Sequence, residues 1–151
     1  MTENKTTELI AILNRIMELE LAGVVRYTHY SLMVYGYQRI PIVDWLNGNA
    51  TESLTHAHRA GELVTLLGGH PSLKIGSLLE SQKHDIGDIL RESRNHEQAA
   101  LDTYYELLKA AEGHTVLLEE YAREMIVEEE THLDEVNKML RKPGDIQPFE
   151  E

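Results

Sequence analysis

Four stretches of the chain, about Thr7 to Val34, Val43 to Leu67, Asp85 to Ala111 and Val116 to Arg141, repeat apolar side chains at intervals of three and four. That period collects the apolar residues on one side of a helix, so each stretch predicts a helix with one face turned to a shared core. Gly36 and Pro41, then Gly68-Gly69 with Pro71, then Gly113, and finally Pro143-Gly144 punctuate the pattern. The expectation is an all-α four-helix bundle, with residues 1–151 as a single domain and no linker.

The apolar faces are interrupted by polar residues at mid-helix. In the first helix the stripe is Leu9, Leu13, Ile16, Glu20, Gly23, Tyr27, Tyr30 and Val34, with Glu20 where an apolar residue is due. In the third it is Ile86, Leu90, Ser93, Glu97, Ala100, Tyr104, Leu107 and Ala111, with Glu97 in the same role. The fourth carries Leu118, Ala122, Met125, Glu129, His132, Val136 and Met139. The inner face of the second (Leu46, Ala50, Ala57, Ala60, Val64, Leu67) has Ser53 near its centre and His56 beside it, and Glu52 precedes His56 by one helical turn.

A single carboxylate on such a stripe is usually a boundary residue reaching for water. Buried and unpaired, it is costly. Polar groups at comparable depth on all four helices point instead to one shared site. Glu20 and Glu97 occupy matching places in the first helix of each pair, and His56 and His132 match in the second. An inward Glu-x-x-His pair such as Glu129 and His132 is how bundles of this kind hold a pair of metal ions.

Between the two helical pairs, residues from His70 to about Lys83 form a connection longer than bundle hairpins use. It lets the third helix start at the far end of the bundle. Leu73, Ile75, Leu78 and Leu79 are its expected apolar anchors.

Composition narrows the chemistry. The net charge of −12 and isoelectric point near 5.1 argue against nucleic acid or an anionic membrane surface as a partner. With no cysteine, disulfides, iron–sulfur clusters and thiolate zinc sites are excluded. Any metal is therefore held by Glu, Asp and His, which suit iron, manganese or zinc. No apolar run reaches membrane-spanning length, and the start Met1-Thr-Glu-Asn-Lys lacks a signal-peptide core, so the expected location is cytoplasmic.

The motifs resemble the bacterioferritin and ferritin-like di-iron carboxylate family. Glu20-Leu-Ala-Gly-Val-Val-Arg-Tyr27 is similar to its first-helix motif, Thr55-His-Ala-His-Arg59 to the second-helix ligand segment, Glu97 with Ala100 and Tyr104 to the third, and Glu129-Glu130-Thr131-His132 to the fourth-helix Glu-x-x-His. The resemblance spans about Leu9 to Leu140. It implies a metal site of Glu20, Glu52, His56, Glu97, Glu129 and His132, with Glu20, Glu97 and Glu129 as the catalytic carboxylates. It also implies two iron ions (manganese or zinc as alternatives), Fe²⁺ and O₂ or peroxide as reactants, and a homo-oligomer, dimer at least.

Three departures stand out. The family's bridging Glu on the second helix is Ser53 here; either Glu52 completes the site through its one-turn relation to His56, or the site is asymmetric and short of a carboxylate. The family's haem-ligating Met position is Leu54, which argues against haem. The chain also shows no clear fifth helix, so a closed cage is not implied. The implied activity is ferroxidation for iron storage or detoxification. The alternatives are a di-metal oxidase or peroxidase acting on peroxide or an organic substrate, and a metal-free bundle serving as an interaction module. His29, His58, His70, His84, His96 and His114 read as surface or structural residues, Tyr27 and Tyr104 as core aromatics, and Glu128 and Glu130 as solvated flanks.

Overall fold

Thr2 begins the first helix. Its side chain accepts a hydrogen bond from the Lys5 amide at 3.1 Å, satisfying one of the free donors at a helix start, and α1 runs Glu3–Met33. In the computed structural model, which describes residues 1–78 and 80–146, this helix starts ahead of the expected boundary because of that cap rather than any apolar residue. Leu79 and the tail with Pro148 lie outside the described residues.

Helix α2 (Arg39–Leu66) also starts early, and Pro41 is the reason the sequence misleads. Proline falls in the first helical turn, where amides have no intrahelical partner, so it begins this helix instead of interrupting it. At the other end Gly68 takes φ 82°, and the amides of Gly68 and Gly69 donate back to Thr65 and Val64 carbonyls at 2.9 Å. Glycine at this left-handed position closes the helix without side-chain strain. Asp85 caps α3 (Ile86–Ala111) by accepting from Gly87, and α4 runs Val116–Leu140.

Helix α1 packs on α2 and on α3, and α3 packs on α4. The backbones of α2 and α4 make no close approach among the described residues, and long side chains bridge them instead, as in the Arg59–Glu124 ion pair at 3.1 Å. This leaves one face of the bundle more open than the others.

The connection between α2 and α3 lies along α1, but not by the expected apolar anchors. Leu73 is 98% exposed, and Ile75 and Leu78 are also exposed. Polar contacts hold it. Asn14 donates to the His70 carbonyl at 3.1 Å and accepts from the Ser72 amide at 2.9 Å. Farther along, the Gly76 amide donates to the Glu18 carbonyl at 2.8 Å; a Cβ at Gly76 would sit 3.3 Å from that oxygen, so glycine permits the approach.

Two apolar clusters fill the interior. One includes Leu9, Leu13, Ile16, Val64, Leu107, Leu118 and Met125; the other holds Tyr27, Tyr30, Val34, Leu46 and Ile89. Glu20, His56, Glu97 and Glu129 are buried at the level where one cluster gives way to the other. Met139 in the last turn of α4 is 39% exposed, so the buried stripe ends at Val136 rather than continuing as expected. Among the described residues no helix is long and apolar enough to cross a membrane.

Candidate metal centre

Each helix delivers its mid-depth polar residue because the apolar residues above and below it fix the rotation of that helix about its axis. Glu20 on α1 follows Ile16 by one turn; Glu97 on α3 lies between Leu90 and Tyr104; Glu129 on α4 follows Met125. The result is a pair of overlapping ligand groups. Glu20, His56 and Glu129 form one, and Glu97, Glu129 and His132 form the other, with ligand atoms in each lying within 4.8 Å of one another. Glu129 belongs to both.

His56 Nδ1 faces inward, 3.5 Å from Glu20 Oε2 and 3.6 Å from Glu129 Oε1. Its Nε2 faces outward, 3.0 Å from Glu128 Oε2 and 3.7 Å from Glu52 Oε1. Glu52 therefore meets His56 on the side away from Glu20, in a separate outer group with Glu128. Glu128 is not the idle flank its position on the helix suggested. Ser53 is the residue that points inward: it is 5% exposed, and a Cβ on Gly23 would lie 2.8 Å from its Oγ and 3.1 Å from His96 Nε2. A small residue at each of Gly23 and Ser53 lets α1 and α2 approach here.

Tyrosines orient the carboxylates. Tyr104 donates to Glu20 Oε1 at 3.1 Å, and Tyr27 donates to Glu97. Burial first, then the neighbouring carboxylates, push both phenols well above their ordinary range, so they stay protonated donors. His132 lies between two aromatic rings, stacked with Tyr27 at 6.5 Å and edge-on to Trp45 at 6.0 Å between centroids.

The electrostatics are those of a site built for cations. Burial, and then the nearby Glu97, raise Glu20 above its ordinary value, although His56 and Tyr104 act against the shift. Burial followed by repulsion from Glu97 pushes Glu129 far up. Glu97 feels the same desolvation, but its hydrogen bond with Glu129 and the charges of His132 and His96 outweigh it and bring Glu97 down to about 2. The two acids thus share a proton, as closely spaced buried carboxylates do. His56 resists desolvation through Glu20, Glu52 and Glu128 and is raised, whereas burial lowers His96 to about 4. Glu129 Oε2 and His132 Nε2 are buried with no hydrogen-bond partner among the described residues. An oxygen and a nitrogen donor buried together at the junction of the two groups fit a divalent metal.

A surface cavity of about 500 Å³ on the open α2–α4 face is lined by Trp45, Asn49, Glu52, Glu128, His132 and Glu135. It gives solvent a route to His132. Trp45 and Glu135 carried no signal in the sequence, since neither sits on an inward stripe.

Residues 10–144 match the family model for the ferritin-like domain. The chain belongs to the ferritin-like domain family. Solved ferritin-like structures align over most of its length. A ferritin-like, diiron-carboxylate protein from Bacillus anthracis superposes with a TM-score of 0.87 at 22% identity, covering 93% of this chain and 100% of that one. The bacterioferritin of Desulfovibrio desulfuricans, whose diiron site was captured in different catalytic states, gives 0.78 at 25% identity and covers 91% of this chain and 81% of that one. The bacterioferritin of Rhodobacter capsulatus, with a metal-free dinuclear site and a haem iron, gives 0.78 at 21%, covering 89% and 84%. No curated protein matches the chain by sequence.

Proposed function

We propose that this ferritin-like protein binds two ferrous ions at Glu20, His56, Glu97, Glu129 and His132 and oxidises them with O₂ or peroxide, for iron storage or detoxification. The observation that carries the reading is Glu129, a buried carboxylate common to both ligand groups. Similarity to the Desulfovibrio desulfuricans bacterioferritin, with its diiron site, supports it. Glu20 and His56 would hold one ion, Glu97 and His132 the other, and Glu129 would serve both. The pair of ferrous ions supplies two electrons, one from each, which reduce the oxidant as the iron becomes ferric.

The chain's own residues set the conditions for that chemistry. Carboxylate donors favour ferric over ferrous iron and so favour oxidation. Tyr27 and Tyr104 fix the orientation of Glu97 and Glu20. Glu52, Glu128 and Glu135 make the mouth of the cavity acidic, which concentrates cations there. Glu52 fits this outer role better than that of a buried ligand, because its contact with His56 is on Nε2. The reading includes no haem, since Leu54 offers no axial ligand, and manganese or zinc would suit the same donors. The same reading includes a homo-oligomer, dimer at least.

Anaerobic Fe²⁺ loading followed by O₂ or peroxide tests the proposal. The expected result is about two irons per chain, as in bundles of this ligand set, and rapid growth of ferric absorbance. Stoichiometric binding without oxidation would reject the ferroxidase reading. Ser53, in place of a second carboxylate between the ion positions, favours a second reading: a di-metal oxidase or peroxidase acting on peroxide or an organic substrate without storing mineral. Assembly mass and iron retained after many turnovers separate the two.

A further inference from the structure

On the outer side of α1, away from the buried centre, His29, Glu80 and His84 bring one nitrogen from each ring and a carboxylate oxygen within 4.8 Å of one another. His29 Nε2 lies 2.8 Å from Glu80 Oε2, and the two imidazole rings are 5.5 Å apart between centroids. His29 Nε2 is thus already paired with a carboxylate, whereas His84 Nε2 is shielded from solvent and makes no hydrogen bond among the described residues. We infer that these residues form a second metal site, separate from the carboxylate centre, that takes a zinc-class divalent ion and fastens the α2–α3 connection to α1.

The donor set differs from that of the buried centre in a way that selects the ion. Two imidazoles and one carboxylate are a nitrogen-rich set, typical of zinc and other late first-row dications, with room for water to complete the coordination. The three donors come from separate parts of the chain: His29 from α1, Glu80 from the connection, and His84 from just ahead of the Asp85 cap of α3. Between the last two, Gln82 takes φ 60°, a left-handed conformation unusual for a side-chain-bearing residue, and its amide donates to Glu80. Holding that turn requires a compensating interaction. A bound ion would supply one.

The surroundings permit a cation. A recess of about 190 Å³ beside the cluster is lined by Val25, Arg26, Tyr30 and Leu78 in addition to His29 and Glu80. Arg26 is the adverse charge, and it is turned toward Glu92: its Nη2 donates to Tyr30 and to the Glu92 carbonyl at 3.0 Å and lies 3.7 Å from the Glu92 carboxylate, while Nε and Nη1 have no partner among the described residues. The recess is otherwise apolar, and it is closed to the buried centre by the Arg26–Tyr30–Glu92 network.

Zinc binding to the full chain, measured by equilibrium dialysis on wild type, H29A, H84Q and E80Q, tests the inference. The expected result is about one fewer Zn²⁺ per chain in H29A and H84Q, roughly tenfold or more weakening in E80Q, and unchanged ferrous loading in all three. Zn²⁺ should also slow proteolysis within residues 67–85 of wild type but not of H84Q. Equal zinc stoichiometry in wild type and both histidine variants would overturn the proposal. So would Zn²⁺ protection of the connection that survives in H84Q.

Discussion

Glu128 Oε2 lies 3.0 Å from Nε2 of His56, on the edge of the ring turned away from Glu20 and Glu129. A carboxylate at that position holds the imidazole with Nδ1 facing inward and raises its basicity, as outer partners of metal-binding histidines do. Glu128→Gln keeps the shape but removes the charge. It should weaken ferrous binding by about tenfold. Isothermal titration under anaerobic conditions reads the change; identical affinity would mean that Glu52, at 3.7 Å, suffices to orient the ring.

Glu129 and Glu20 should not behave alike on removal. Because Glu129 belongs to both ligand groups while Glu20 belongs to one, Glu129→Ala should abolish paired binding, and Glu20→Ala should leave about one ion per chain on Glu97, Glu129 and His132. Metal analysis after anaerobic loading and gel filtration distinguishes them. Equal losses in the two variants would contradict the shared role of Glu129.

The metal-free protein should show an opposed pair of pH effects. Glu129 and Glu20 are raised in the folded state, so the stability they contribute is full below the unfolded value of about 4.5 and declines as pH rises. Glu97, brought down to about 2, has the opposite sign: its contribution is full above about 4.5 and is lost as pH falls toward 2. Thermal unfolding without metal should therefore peak in the mildly acidic range and weaken toward neutrality. Glu129→Gln should flatten the neutral-side slope and stabilise the metal-free chain at neutral pH by about 1–2 kcal/mol, because a neutral amide no longer has to take up a proton on folding. In wild type, metal loading at neutral pH should release protons.

Gly23 is a packing requirement as well as a helix residue. A Cβ there meets Ser53 Oγ at 2.8 Å and His96 Nε2 at 3.1 Å. Gly23→Ala should destabilise the bundle by about 1–2 kcal/mol through overpacking, measured by urea denaturation. Adding Ser53→Ala should recover most of that loss; a double variant no better than Gly23→Ala would shift the clash to His96.

The inward carboxylates were legible because each replaces an apolar residue on a regular stripe. Glu20, Glu97 and Glu129 could be read by counting in threes and fours. Glu128 was not, since its angle on α4 is that of a solvated flank, and only the open α2–α4 face brings it to His56. Pro41 misled as a helix breaker because the same residue is tolerated in a first turn. Leu73 and Ile75 looked like anchors by type, but a connection held through Asn14 and Gly76 needs no apolar burial. His29, Glu80 and His84 have no common period at all: one is on a helix and two are on irregular chain, so only the folded arrangement brings them together.

The strap pinned by Asn14 and Gly76 also bears on how the molecule comes apart. Helices α1 and α2 form one local hairpin and α3 and α4 another, and such short-range contacts form quickly. The buried ligand groups draw on both hairpins: Glu20 and His56 from the first, Glu97, Glu129 and His132 from the second. The group of Glu97, Glu129 and His132 lies within the second hairpin, but the group of Glu20, His56 and Glu129 is complete only when the two hairpins are docked. The ion held by Glu20, His56 and Glu129 would have to leave before the hairpins separate, so its loading would act chiefly on the unfolding rate. Metal would thus set the lifetime of the native chain rather than the speed at which it is reached.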